Sequence, residues 1–399
     1  MRICAISAFP PTIAGTADYG AHLVQHLARD PGVEAVIVLA DQRAGAPHRE
    51  RIGRVDVRRV WRRDRAGTSL ALLRELRAAR PDVVWFNLGL TMFGTGPAAA
   101  ALGLIALLCP SVLGYRLVVT LHELPPLSNF AGLGLRAGPG HFAASLVPRV
   151  VLRADRVVVT LDRYRRFLTD LCGAGNVVHI AHGAYSEPEF ADEPERETAL
   201  VFGTFGPHKD PGLVAEAVAR LRPRRPAIRL VVAGADHPRF PGFMADCRAR
   251  HRLNGSWIGY VPAERLGALF AAATVVVVAP RASSGSSGVI YRAMSHGRAV
   301  LASDLLDYRG LAHDEGLELA WFEPGNPASL ASSLDVLLGD PKRRRRLAMH
   351  NLEALRRLGP RQTAEAYLAA FDKADGWAMA RPDRRGGHLA PALEAGGEA

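Results

Sequence analysis

The chain has 399 residues, a net charge of +11 and a pI near 10.0. At about 100–200 residues per domain it holds two domains, and a composition of 48% apolar and 22% charged residues excludes a disordered or fibrous protein. The positive excess calls for an anionic partner, whether a phosphorylated small molecule, an acidic membrane surface or nucleic acid, and says nothing about fold.

The N-terminal "MRICAISAFPP" has a short apolar run that meets Pro10-Pro11 instead of a small-residue cleavage site. It is expected to be a first buried strand, not a signal peptide. "EAVIVLA", "DVVWFN", "RLVVTLH", "DRVVVTL" and "NVVHIA" follow as further strands, with amphipathic helical stretches such as Tyr19–Arg29 and Leu70–Ala79 between them. Continuous Val/Ile runs indicate strands buried on both faces, hence a parallel sheet covered by helices, the doubly wound α/β pattern.

From Leu88 to Tyr115 the chain carries no charge. Pro97, Pro110 and three glycines break up any long helix there, and the flanking strands belong to one sheet. A buried or membrane-facing helix is therefore expected instead of a span. Two basic stretches, "RERIGRVDVRRVWRRDR" (49–65) and "KRRRR" (342–346), leave two readings open: solvated faces, or attraction to anionic lipid headgroups. They lack interleaved aromatics, so no nucleic-acid partner is expected. Cys4, Cys109, Cys172 and Cys247 share no CxxC spacing, which disfavours a zinc site or disulfides and suits a reducing cytoplasm.

At 184–197, "AYSEPEFADEPERE" is acidic and without apolar period, as expected of a linker or hinge. The strand–helix alternation then restarts with "ALVFGTF", "IRLVVAG", "GSWIGYV", "ATVVVVAP" and "RAVLASD". Helices are predicted at about 211–222, 241–252, 263–272 and 288–296. Two more follow, with Asn326 and Asp340 as N-caps. Beyond Trp377 a disordered tail, 378–399, is expected.

Ligands of such sheets bind at the carboxyl ends of the strands, and four stretches lie there. In "FPPTIAGTADYG", Gly15 and Thr16 open a helix whose N–H groups face an anion, although the spacing is not GxGxxG. In "VVTLHELPP", His122 follows a buried strand; it either donates a hydrogen bond to a ligand or is satisfied structurally. In "FGTFGPHKDPGL", Lys209 sits at a helix N-terminus, where the dipole gains nothing from a cation, so an anionic ligand is expected. In "RASSGSSGVIYRAMSHG", the loop residues Ser284, Gly285, Ser286, Ser287 and Gly288 lead into a helix that Gly297 stops. A diphosphate fits there without a metal, and no acidic pair with metal-ligand spacing accompanies it.

Eight stretches in order, among them "PPTIAGTADYGAHLVQHLAR", "LVVTLHE", "IAHGAYSEPEF", "FGTFGPHKDPGLVAEAVARL", "WIGYVPAERLGALFAAATVVVVAP" and "SSGVIYRAMSHGRAVLASD", resemble the retaining family-4 ("group 1") glycosyltransferases. The resemblance covers about residues 1–375. It implies the GT-B fold: two tandem Rossmann-like domains, 1–190 on the acceptor side and 198–360 on the donor side. A helix at 361–376 would pack back on the first. It also implies sugar transfer from a UDP- or GDP-sugar to a glycan or lipid-linked acceptor, with retention and no cofactor or metal. The setting would be surface polysaccharide or glycolipid synthesis at the cytoplasmic membrane face. Lys209 and the Ser286–Gly288 backbone would hold the phosphates, His122 would sit by the sugar, and Tyr260 and Val261 would lie near the base. Thr204 and Gly206 would line the donor turn, with Thr204 where the family carries an arginine. The family's two glutamates correspond to Ser284 and Arg292. A non-catalytic nucleotide-sugar-binding partner subunit is the alternative that this loss raises.

Overall fold

The computed structural model describes residues 1–65, 67–89, 92–94, 97–127, 146–251, 255–282 and 285–372. The expected tail and Ser284 lie outside them. Two sheets form the framework. The first contains β1 (Arg2–Ile6), β2 (Ala35–Asp41), β3 (Arg49–Ile52), β4 (Val55–Trp61), β5 (Val83–Leu88), β6 (Arg116–Leu121), β7 (Arg156–Val159) and β8 (Val177–His179), in the order β3-β4-β2-β1-β5-β6-β7-β8. The second contains β9 (Thr198–Phe205), β10 (Arg229–Asp236), β11 (Ser256–Ile258), β12 (Val275–Val278), β13 (Ala299–Ser303) and β14 (Ala320–Phe322), in the order β11-β10-β9-β12-β13-β14. Each order reverses once, beside β1 in the first sheet and between β9 and β12 in the second. These reversals are where crossover helices pass to opposite faces and open a crevice.

Every pairing is parallel except β3–β4, an antiparallel hairpin on the edge of the first sheet. This hairpin takes up most of the basic 49–65 stretch, for which a solvated or lipid-facing surface is expected. In β4, "VDVRRVW", buried and part-exposed positions alternate. Arg59 is buried and bonds the carbonyls of Pro10 and Asp41 and the carboxylate of Glu50. Arg58 pairs with Asp56 and Glu75. In 342–346, Arg344 is likewise buried; it chelates Glu193 and takes the carbonyls of Leu337 and Leu338. Both stretches thus divide between internal arginines and exposed ones.

The helices are α1 (Gly15–Leu27), α2 (Thr68–Ala79), α3 (Pro97–Val112), α4 (described at 146–151), α5 (Asp162–Cys172), α6 (Pro211–Leu221), α7 (Phe243–Arg250), α8 (Ala263–Ala271), α9 (Gly288–Ser295), α10 (Leu306–Glu315), α11 (Pro327–Gly339), α12 (Pro341–Leu355) and α13 (Pro360–Phe371). Asn326 caps α11 through Ala328 and Ser329, and Asp340 caps α12 through Arg343. The charge-free segment forms α3, with Ala106, Leu107 and Cys109 buried and Ile105 and Val112 exposed. Among the described residues no helix is long and apolar enough to cross a membrane.

The chain crosses between the sheets twice, and the crossings touch: Ala184 N–H donates to the Leu358 carbonyl at 2.8 Å. The acidic 184–197 stretch does not hang free. Arg298, fully buried, holds the carbonyls of Ala191 and Asp192. After the second crossing α13 lies on the first sheet, where Tyr367 and Phe371 pack with Ile3, Trp85 and Val118. The Tyr19 hydroxyl meets that of Tyr367 at 2.9 Å, and the Tyr367 hydroxyl meets Thr120 Oγ1 at 2.8 Å. Tyr367→Phe leaves the Tyr19 hydroxyl without its acceptor in an apolar core, while Thr120 Oγ1 keeps the bond from Trp85 Nε1 at 2.8 Å. Unfolding by denaturant is expected to show a loss of about 1–3 kcal/mol; an unchanged midpoint would mean the hydroxyls re-pair.

Candidate functional site

The carboxyl ends of the strands in the two sheets face one another across a cleft of about 910 Å³. Its centre is the β9/β12 reversal. Beyond β12 the chain turns through Gly285 into α9. Gly285 has φ +137°, and its N–H donates to Asp307 Oδ2 at 3.2 Å. A Cβ there would lie 2.2 Å from the His122 carbonyl oxygen of the facing sheet, so only glycine allows the two backbones to approach this closely. Ser286 Oγ donates to Thr160 Oγ1 at 3.0 Å, again across the cleft. Ser287 is the N-cap of α9 and makes no side-chain capping bond. The first N–H groups of α9 therefore have no side-chain cap, and Ser286, Ser287, Gly288 and Val289 line the cleft. An anion is suited to that place.

Lys209 reaches the same place from β9. Asp210 caps α6 through Gly212 N–H, and Lys209, just ahead, folds back so that its Nζ lies over Gly203. A Cβ on Gly203 would come 2.4 Å from Nζ. Among the described residues no carboxylate pairs with Lys209. Desolvation alone pushes its pKa down to about 8. A half-buried cation with no carboxylate partner among the described residues, on the same cleft as an uncapped helix N-terminus, suits an anion. Thr204 lines the cleft near it and supplies no positive charge. Gly206 does not line the cleft; its carbonyl accepts the Lys209 N–H at 2.9 Å, which shapes the turn.

The first sheet contributes the opposing wall. Gly15 and Thr16 open α1, whose N-cap Ala14 has no side-chain bond, and a Cβ on Gly15 would meet open space. Asn87, at the end of β5, donates to Ser7 Oγ at 2.9 Å and to the Thr16 carbonyl at 2.8 Å. Its Oδ1 consequently faces His122 Nε2, 2.6 Å away. The hydrogen therefore sits on Nε2, and neutral His122 keeps a lone pair on Nδ1. Burial, with a smaller push from His182, lowers its pKa to about 3. Of the two readings left open for His122, the Asn87 bond favours the structurally satisfied one: the Nε2 hydrogen is committed to Asn87 Oδ1.

At the far side Tyr260 is 58% exposed and Val261 is buried, both on the cleft wall. Arg292 stands in α9. Its side chain is only 16% exposed and lies flat on Tyr185, 3.6 Å from the ring centre, with Asp18 Oδ2 3.9 Å away. Burial raises the Asp18 pKa, partly countered by Arg292. The sequence reading missed Asp307, Asn87, His182 and Tyr185. Asn87 had a signal, a polar residue closing the apolar strand "VVWFN". Asp307 had none; its carboxylate joins Arg163 and Tyr164 of α5 to Gly285 of the loop before α9. No group of three or more His, Cys, Asp or Glu side chains arranged for a metal stands among the described residues.

Two Rossmann-like domains facing one another across a cleft define the GT-B architecture. The model of a "glycosyl transferase 4-like domain" matches residues 14–183, and that of "glycosyl transferases group 1" matches 196–340. A curated relative, D-inositol 3-phosphate glycosyltransferase of Kineococcus radiotolerans, is 28% identical over 291 residues, which are 65% of this chain and 66% of that protein. The match thus spans just under two thirds of the relative's length. Sucrose-phosphate synthase from Thermosynechococcus elongatus superposes with a TM-score of 0.73 at 17% identity, covering 93% of this chain and 98% of that one. Anabaena HepE in complex with UDP-glucose gives 0.66 at 16%, covering 93% and 100%. The trehalose-phosphate synthase of Burkholderia xenovorans gives 0.65 at 14%, covering 93% and 98%. Together these matches support a GT-B glycosyltransferase of the group 1/family 4-like kind.

Proposed function

We propose that this protein transfers a glycosyl group from a nucleoside diphosphate sugar to an acceptor hydroxyl with retention of configuration, without a metal. The observation that carries the reading is the unpaired Lys209 beside the uncapped N-terminus of α9 at the β9/β12 reversal. These two elements would bind the diphosphate and stabilise the charge that grows on it as the anomeric C–O bond breaks. The acceptor oxygen attaches to the anomeric carbon, and its proton passes to the departing phosphate on the same face. The protein then needs to align the partners more than to supply a base, and His122, neutral and fixed by Asn87, shapes the sugar's side of the cleft. Tyr260 and the Asp18–Arg292 pair lie where they would meet the nucleoside. The family relation and the UDP-glucose complex of HepE support this donor class. The acceptor is proposed to belong to glycan or glycolipid assembly at the cytoplasmic membrane face.

The test is nucleotide release from a panel of UDP-, GDP- and ADP-sugars by the purified protein, with the product anomer assigned by NMR. Retention with loss of release in Lys209→Ala supports the reading; inversion overturns it. The absence of a carboxylate at position 292 favours a second reading, a donor-binding subunit without turnover. Donor binding with no release, whatever acceptor is offered, would establish it.

The Lys209 ammonium also sets a pH profile. With its pKa at about 8, the free enzyme loses this charge as pH rises through 8. The donor kcat/KM is expected to fall above pH 8, approaching tenfold per unit, while kcat falls less because bound diphosphate restores the proton. A profile flat to pH 9.5 would contradict the assignment.

A further inference from the structure

One flank of the cleft holds basic groups that the donor site does not use. Arg43 lies two residues past β2 and Arg63 two residues past β4, on the first sheet. Opposite them stand His208 after β9, and His237 and Arg239 just past β10. All five line the cleft. Because β2 and β4 lie on the other side of β1 from β5–β8, the Arg43 and Arg63 side of this flank is remote from the Gly285–His122 contact, while His208 adjoins Lys209. We infer that these five residues form an acceptor subsite for a phosphate monoester carried by a hydroxylated molecule.

The nearby carboxylates are already committed. Asp41 accepts from Phe9 N–H, Thr12 and Arg43, and Asp236 accepts from the N–H groups of Gly242 and Met244. Arg239 has no ion pair among the described residues. Its own N–H donates to His237 Nδ1 at 3.3 Å, which leaves the hydrogen of neutral His237 on Nε2 as a donor. The rings of His208 and His237 meet edge to face at 5.5 Å. Burial first, and then Arg43 and Arg239 against the opposing pull of Asp64 and Asp41, lower the pKa of Arg63, and burial with neighbouring cations lowers that of both histidines. Gathering like charges in a half-buried cleft is unfavourable unless a ligand resolves it.

The donors favour phosphate over carboxylate. Guanidinium groups approach from both walls and an imidazole N–H from the second, which suits three terminal oxygens on a tetrahedral centre better than two in a plane. The role as acceptor subsite rests on the glycosyl-transfer reading; the binding itself does not.

The experiment therefore begins with calorimetric binding to the whole protein without donor. Hexose and cyclitol monophosphates are compared with the same molecules dephosphorylated, and phosphatidylinositol-phosphate vesicles with phosphatidylinositol vesicles. Preference for the phosphorylated form of at least tenfold, reduced about tenfold or more in Arg63→Ala and Arg239→Ala, supports the subsite. Response in the soluble or the vesicle arm alone identifies a free phosphate or a lipid headgroup as its source. Equal binding of both forms, or a preference unchanged in the variants, overturns it. Displacement by saturating UDP also overturns it, since the phosphate then sits in the donor cradle. In turnover, the variants should lower the ratio of kcat/KM between phosphorylated and plain acceptors. A mere folding defect lowers both values and leaves that ratio intact, which would also count against the assignment. Failure of the donor reading shows separately, as no UDP binding and no nucleotide release.

Discussion

Lys209→Ala is expected to cut donor kcat/KM by about 10²–10³-fold while making the fold more stable. The first half follows from the removal of a charge-assisted contact to the diphosphate, a loss typical of a single anion-stabilising donor. The second follows from linkage. Burial lowers the Lys209 pKa from its ordinary 10.5 to about 8. For a cation with a depressed folded-state pKa, the native state carries a penalty that is full below pH 8. It fades as pH rises from 8 to 10.5, where both states have lost the proton. At about 1.4 kcal/mol per pKa unit the alanine variant should gain up to about 3 kcal/mol at pH 7. The gain should shrink towards zero near pH 10.5. Steady-state kinetics and urea unfolding at several pH values read the two halves. A variant that loses activity and stability together would show that Lys209 serves the fold instead of the ligand.

That lysine was legible from its neighbours in the chain: a strand, a glycine turn, a cation where a helix begins. The Val-rich strands were legible for a similar local reason, because both of their faces are covered. What escaped was decided by residues far away. β3 and β4 hid in a basic stretch, since an edge hairpin alternates charged and apolar positions and its arginines find partners only in three dimensions. Arg59 is buried because Glu50 and the Pro10 carbonyl meet it, and Arg298 because the chain between the sheets passes over it. His122 was placed correctly at the cleft, yet its protonation depends on Asn87, 35 residues earlier. Nothing in "VIYRAMSH" announces that Arg292 meets Tyr185 and Asp18. The helix of 361–376 was expected on the first domain by resemblance; its seat, the Tyr19–Tyr367–Thr120 relay, joins residues from three distant parts of the sequence.

Gly285→Ala is expected to be the most damaging small substitution in the protein. The backbone at 285 has φ +137°, which L side chains rarely adopt, and the added Cβ would stand 2.2 Å from the His122 carbonyl oxygen. Neither party is a flexible side-chain end, so the loop or the β6 terminus must move. Strain of this kind costs about 1–3 kcal/mol. The movement carries Ser286 and Ser287 with it, and an error of about 1 Å in a reacting alignment costs on the order of 10²-fold. Donor kcat/KM should therefore fall about 10²-fold and the Ser286–Thr160 contact should open. Gly15→Ala provides the contrast, because a Cβ there meets nothing within 4 Å. Thermal unfolding should leave Gly15→Ala close to the parent and lower Gly285→Ala by several degrees. Equal melting of the two variants would mean that the domains do not meet at Gly285 and His122 in solution. The phosphate cradle would then be shaped by the second domain alone.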